Sequence, residues 1–252
     1  MTEIPVIIEE NDNFLVVAKP AHWLSHPTRP DGKPTLLGWL QEKIPGGFVA
    51  LVNRLDRETS GTILVARSPE AASRLGSMTM RREITKTYLA LVTGRVKAEQ
   101  GLIDAPLGRL GISAENPIWL RRGVIGPEDG EGRKSAAAQT EFWRLARSEA
   151  MSLLRVRAHT GRLHQIRVHL AHVGHPIVGD KIYGPDGGLY LKFIAEGWTE
   201  EHARVLRLRR HALHAEELRF VWEGEERVFR AAVPQEMEEL IRGLDQETRF
   251  CR

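Results

Sequence analysis

FVALVNRLDRETSGTILVA, running from Phe48 to Ala66, places a polar stretch between two apolar runs. Phe48 to Val52 and Thr62 to Ala66 are read as buried strands, because apolar runs of that length are too short for core helices. Between them, Asn53-Arg54-Leu55-Asp56-Arg57-Glu58-Thr59-Ser60-Gly61 is a tight loop held at both ends. Gly61 is free to take backbone angles that a bulkier residue resists. One carboxylate, Asp56, stands between two guanidinium groups, and nearby positive charge favours its ionised form. An ionised carboxylate suits a nucleophile or a charge stabiliser better than a general acid. The segment alone leaves a second reading open: an ordinary turn in which Asp56 satisfies backbone donors at Thr59 or Ser60 and the arginines are solvated.

Upstream, Pro5 to Glu9 and Phe14 to Ala18 alternate around Asn11-Asp12-Asn13, which predicts an opening hairpin ended by Lys19-Pro20. Thr35 to Ile44 is a short helix capped by Thr35. Downstream, Ser68-Pro69 starts a helix through about Met80, and Thr85 to Val92 is a strand. Leu107 to Ser135, rich in glycine and charge, is read as a long irregular connection. A second half follows: paired strands at Ala138 to Leu145 and Ser152 to Ala158, then a helix from Arg162 to about Val173. His214 to Trp222 and Arg227 to Ala232 form a last strand pair, and Pro234 to Leu244 a closing helix. Strands and helices in irregular order predict an α+β fold. The organisation expected is one domain over 1–252, with halves at roughly 1–106 and 136–252.

A chain of 252 residues, 42% of them hydrophobic, supports a real core, so disorder of the whole is excluded. The formal charge of +3 and the 10 histidines permit an anionic partner without demanding one. Arg204, Arg207, Arg209 and Arg210 crowd one run, and Arg81-Arg82 lead toward Lys86 in another; each is either a solvated face or a track for a phosphate backbone. The lone Cys251 rules out an internal disulfide and a four-cysteine zinc site. Acidic residues at the N-terminus and the lack of a long apolar run predict a cytoplasmic protein with no membrane association.

His159, His164, His169, His172 and His175 invite a metal reading, but there is no HExxH pattern, and Arg162 and Arg167 interleave with them. No metal is expected. Gly130 to Ser135 fails as a phosphate loop because Arg133 stands where glycine is required. Thr59-Ser60-Gly61 fails as a nucleophile elbow because Glu58 occupies the glycine position. In Lys86-Thr87-Tyr88-Leu89-Ala90-Leu91-Val92, alternation puts Lys86, Tyr88, Ala90 and Val92 on one strand face. Tyr88 is either a core ring with a satisfied hydroxyl or a ring that stacks on a nucleobase beside a reacting sugar. Arg167 is either a surface arginine or a bidentate partner for Asp56.

Together these segments resemble the RluA family of RNA pseudouridine synthases. Asn53 to Gly61 is similar to its catalytic HRLDxxTSG segment, Lys86 to Val92 to its K-x-Y-x-A strand, and Thr160 to Gly184 (TGRLHQIRVHLAHVGHPIVGDKIYG) to its long downstream signature. Leu15 to Pro20, Ala138-Gln139-Thr140 and Leu213-His214-Ala215 extend the likeness over nearly the whole chain. The resemblance implies a pseudouridine synthase fold, with a mixed, mainly antiparallel sheet from two halves and a catalytic cleft between them.

It also implies an isomerase that needs no cofactor, converts a uridine of ribosomal or transfer RNA to pseudouridine, and flips the target base. Asp56, Tyr88 and Arg167 would be catalytic, and Arg54, Lys86, Arg162 and His164 would bind RNA. In that scheme Arg54 fills the gap left by the extruded uridine, Tyr88 stacks on the base, and Arg167 orients Asp56. Asn53 departs from the histidine that opens the family motif, so the role of that imidazole does not carry over. The alternative is a catalytically silent RNA-binding or ribosome-assembly protein of the same fold. The chain starts at the catalytic-domain hairpin, which predicts no separate S4 domain, and a monomer is expected.

Overall fold

The computed structural model describes residues 3–27, 32–110, 118–126, 134–184 and 187–244. Much of the glycine-rich connection, including Gly111, Gly130 and Gly132, lies outside them, as does Cys251. The chain forms two compact units, Met1–Tyr88 with Leu213–Pro234, and Leu89–Ala212 with Gln235–Arg252. These units are not the contiguous halves expected from the sequence, because the last strand pair returns to the first unit.

The first unit opens with β1 (Val6–Glu10) and β2 (Phe14–Lys19), paired antiparallel. Their turn is made by the Asn11 side chain, whose Oδ1 accepts from the backbone N–H groups of Asn13 and Phe14, each at 3.0 Å. β2 pairs antiparallel with β4 (Ser60–Ala66), which pairs parallel with β12 (Leu213–Trp222). The two-residue β3 (Ala50–Leu51) joins β4, and β13 (Glu225–Arg230) joins β12. Strand periodicity divides the buried residues between two faces. Phe14, Val16, Leu64, Ala66, Leu218 and Phe220 meet helix α2 (Pro69–Met80) through Ala71, Leu75 and Met78. Leu15, Val17, Ile63 and Val65 meet α1 (Leu36–Lys43) through Leu36 and Leu40. Both helices start as their sequences predict: Thr35 Oγ1 accepts from Gly38 N–H, and Ser68 Oγ accepts from Ala71 N–H ahead of Pro69.

β5 (Thr85–Thr93) carries the chain out of the first unit and into the second. There the strand order is β5, β11 (Met151–Ala158), β10 (Gln139–Arg147), β6 (Gln100–Asp104), with β10 antiparallel to both of its neighbours. The segment expected to be irregular holds a small sheet of β7 (Leu107–Arg109), β8 (Arg122–Val124) and β9 (Ser135–Ala136). Its strands are too short to show a period. Helix α3 (Gln165–His172) begins three residues later than expected because His164 adopts a left-handed conformation, φ 59°. Gln165 Oε1 holds that turn by accepting from Arg162 N–H and from the Thr160 hydroxyl. Two further helices, α4 (Gly188–Glu196) and α5 (Glu200–Leu206), are not among the elements expected from the sequence. The closing helix, α6 (Gln235–Arg242), falls where it was expected. Among the described residues, no helix is long and apolar enough to cross a membrane.

Candidate active site

Asp56 sits on a loop that is fixed from every side within the first unit. Val52 N–H donates to Leu64 C=O at 2.8 Å, the last main-chain bond between β3's strand and β4 before the loop departs. Asn53 then extends the ladder with its side chain: Oδ1 accepts from Leu64 N–H at 2.8 Å and Nδ2 reaches Thr62 C=O at 3.5 Å. The Asn53 amide therefore acts as a backbone mimic. Leu55 anchors the loop in the core beside Leu36 and Ile63. The Ser25 hydroxyl donates to Leu55 C=O (2.9 Å) and accepts from Leu55 N–H (3.1 Å).

Lys19, 1% exposed, clamps the loop's far side, its ammonium donating to Pro20, Trp23 and Arg57 carbonyls at 2.9, 2.9 and 3.3 Å. Thr59 N–H closes the turn on Asp56 C=O. Ser60 Oγ bonds His214 Nδ1 at 2.9 Å, and His214 Nε2 bonds Ala231 C=O. Since a carbonyl only accepts, a neutral His214 carries its proton on Nε2 and Ser60 donates to Nδ1. Gly61, at φ 119°, has Ala215 C=O only 2.2 Å from where a Cβ would stand, so no other residue fits.

The loop thus presents a half-buried Asp56 with Arg54 and Arg57 exposed on either side. Arg54 borders a small depression lined by His26, Leu37, Val49, Ala50 and Leu51. Tyr88 packs against the Leu55 and Ile63 cluster, and its phenol pKa is raised by burial and by the negative charge of Asp56. Tyr88 and Asp56 therefore share one electrostatic neighbourhood, in which the phenol keeps its proton. Two residues before it, burial lowers the Lys86 ammonium pKa.

In the second unit, Arg167 is 5% exposed. Its Nε and Nη2 donate to the two oxygens of Asp180 at 2.7 and 2.9 Å. Asp180 Oδ1 also accepts from Ile182 and Tyr183 N–H. Burial alone would raise the Asp180 pKa; the charge and hydrogen bonds of Arg167, with His211 and the Tyr183 N–H, outweigh it and hold the carboxyl well below the usual range. The Arg167 guanidinium lies over the Tyr183 ring at 5.0 Å. Tyr183 OH accepts from Arg122 N–H and bonds His164 Nδ1 at 2.8 Å.

The long Thr160–Gly184 signature is therefore a segment folded onto itself, with Asp180 and Tyr183 as the residues that position Arg167 and His164. Neither was singled out from sequence; an acid and a tyrosine inside one motif with Arg167 are the signal that could have found them. Arg162 is exposed, with Nε donating to Ala137 C=O. Besides His164, three of the histidines that suggested metal have protein partners: His169 bonds Thr140 and Ala105 C=O, His175 bonds Thr93 C=O, and His159 bonds Glu141. Of the arginine run, Arg210 is buried against Glu236, not solvated.

A family model described as RNA pseudouridylate synthase matches residues 13–172, a span that contains both the Asp56 loop and the Tyr88 strand. The chain belongs to that family. Among curated relatives of this synthase family, the ribosomal large subunit pseudouridine synthase D of Yersinia pestis is 34% identical over 258 residues, covering 98% of this chain and 73% of the relative. An uncharacterized RNA pseudouridine synthase of Aquifex aeolicus is 38% identical over 191 residues, 72% of this chain. The chain spans 57% of that Aquifex relative and 64% of a synthase D from Nitrosomonas europaea. The solved structure of human RNA pseudouridylate synthase domain containing 4 is similar at a TM-score of 0.73, covering 96% of this chain and 94% of that one at 22% identity, which establishes the pseudouridine synthase fold.

Proposed function

We propose that this chain is an RNA pseudouridine synthase that isomerises a specific uridine of ribosomal or transfer RNA, with Asp56 as the catalytic carboxylate. The observation that carries the reading is the Asp56 loop itself, a carboxylate on a backbone immobilised by Lys19, Ser25, Asn53 and Gly61, beside a tyrosine that stays protonated. Fixed charge near a reacting centre stabilises developing positive character at the sugar without reorganising. The reaction balances by itself: the bond from C1′ to N1 breaks, a bond from C1′ to C5 forms, the C5 proton is lost, and N1 gains one.

In this scheme the uridine leaves the stack, Arg54 fills the gap, and Tyr88 lies against the base with its hydroxyl donating toward the sugar. Arg167 is assigned the orienting role toward Asp56, with Asp180 holding its guanidinium fork. Lys86, Arg162 and His164 are assigned to RNA contact.

Asp56→Ala is expected to abolish pseudouridine formation while leaving the fold intact, read by pseudouridine mapping of RNA modified in vitro. Wild-type product from that variant would overturn the assignment. Comparing pseudouridine maps of total RNA from cells with and without the protein identifies the uridine. The silent RNA-binding alternative, motivated by Asn53, predicts that the two maps are identical.

A further inference from the structure

The β7–β8 hairpin of the second unit holds an arrangement that the Asp56 chemistry does not use. Arg109 and Arg122 stand directly opposite each other across its two strands. Like charges at opposed positions destabilise a strand pair. The described residues of the hairpin, 107–110 and 118–126, contain Arg109, Arg121 and Arg122 and no carboxylate. The Arg109 guanidinium lies over the Trp119 ring, 3.4 Å from its centroid. Arg109 Nε and Nη2, and Arg122 Nε, are sealed from solvent with no acceptor among the described residues. Although its ring is covered on that side, Trp119 remains 62% exposed. The hairpin therefore offers an open aromatic face braced from behind by a cation, among arginines with no carboxylate in the described residues of the hairpin.

We infer that Trp119, braced by Arg109 and flanked by Arg121 and Arg122, is a stacking platform for one unpaired base of RNA, with the arginines drawing the adjoining phosphates. The inference rests on the proposed function in taking RNA as the partner. Phosphates relieve the opposed-arginine repulsion, and an aromatic face accepts any base because every base has a π-face. An acidic protein segment would match the charge but leave the open ring without a purpose.

The test uses the full chain as wild type, Trp119→Ala and Trp119→Phe, with a short fluorescent single-stranded oligouridine as probe. Trp119→Ala is expected to weaken binding by roughly 5- to 100-fold, the range of one lost base stack. Oligouridine is expected to quench part of the wild-type tryptophan emission, and that part is expected to vanish in Trp119→Phe. The Phe variant keeps an aromatic ring in the site, so its quenching result decides the matter even if the Ala variant misfolds. Equal affinity in wild type and a folded Trp119→Ala, or unchanged quenching in Trp119→Phe, overturns the platform. If wild type makes pseudouridine in ribosomal RNA while either of those results holds, the proposed function stands and only the platform falls. A wild type that binds oligouridine through Trp119 but forms no pseudouridine sinks the synthase reading and leaves the platform.

Discussion

Tyr88 and Asp180 show how single residues take their character from their surroundings. Burial and the charge of Asp56 both disfavour tyrosinate at Tyr88, so its ionisation is displaced to more alkaline pH. In a difference titration of wild type against Tyr88→Phe, followed by tyrosinate absorbance, the Tyr88 signal should appear above the ordinary range near pH 10 and move down in Asp56→Asn. Asp180 has the opposite sign. Because its folded pKa is depressed, the stability it contributes is in place above its unfolded value, about pH 4, and is lost as pH falls further toward the folded value. Asp180→Asn leaves Arg167 buried without its ion partner and should cost about 3–5 kcal/mol at pH 7. Urea melts should show the gap between variant and wild type narrowing at about pH 3. The loop that carries Asp56 was legible in the sequence because apolar runs on both sides mark where it starts and ends. Asp180 was not, since its partner lies a helix away and only folding brings the two together.

At the scale of elements, β2 and β4 were legible because each of their faces meets a separate apolar cluster, and α1 and α2 because Thr35 and Ser68-Pro69 announce them. The small β7–β8–β9 sheet and the α4–α5 pair were not, because their strands and helices are short and held by partners distant in sequence. The start of α3 was misplaced because a histidine, not a glycine, adopts the left-handed angle there. Two glycines separate packing from propensity. Gly61→Ala would drive a Cβ into Ala215 C=O on β12 and is expected to destabilise by about 3 kcal/mol or more. Gly76→Ala, inside α2 with open space around it, should stabilise by roughly 0.5–1 kcal/mol. Thermal melts of the two variants should therefore move in opposite directions. Ser25→Ala removes both hydrogen bonds on Leu55 and should cost roughly 1–3 kcal/mol, with a fall in turnover larger than any change in RNA affinity, since the loop it loosens carries Asp56.

For the whole molecule, the governing fact is that the chain passes between its two units three times, after Tyr88, Ala212 and Pro234. A fragment of residues 1–88 lacks β12 and β13, and with them Leu218, Phe220 and Trp222 from the α2-side cluster. It is expected to give the circular dichroism of a largely unfolded chain. Joining it to residues 213–234 through a flexible linker should restore strand content, and an equally folded 1–88 fragment would refute that dependence.

The same threading sets a timetable. On a ribosome adding about 5–20 residues per second, the stretch from Leu89 to Pro234 takes on the order of 7–30 s to emerge. For that interval the newborn β4 must wait with the flank that will later receive β12 uncovered, an invitation to pair with the wrong chain. The first ninety or so residues are therefore expected to be the stretch of the nascent polypeptide most open to mispairing, a hazard that no inventory of the finished protein's contacts would reveal.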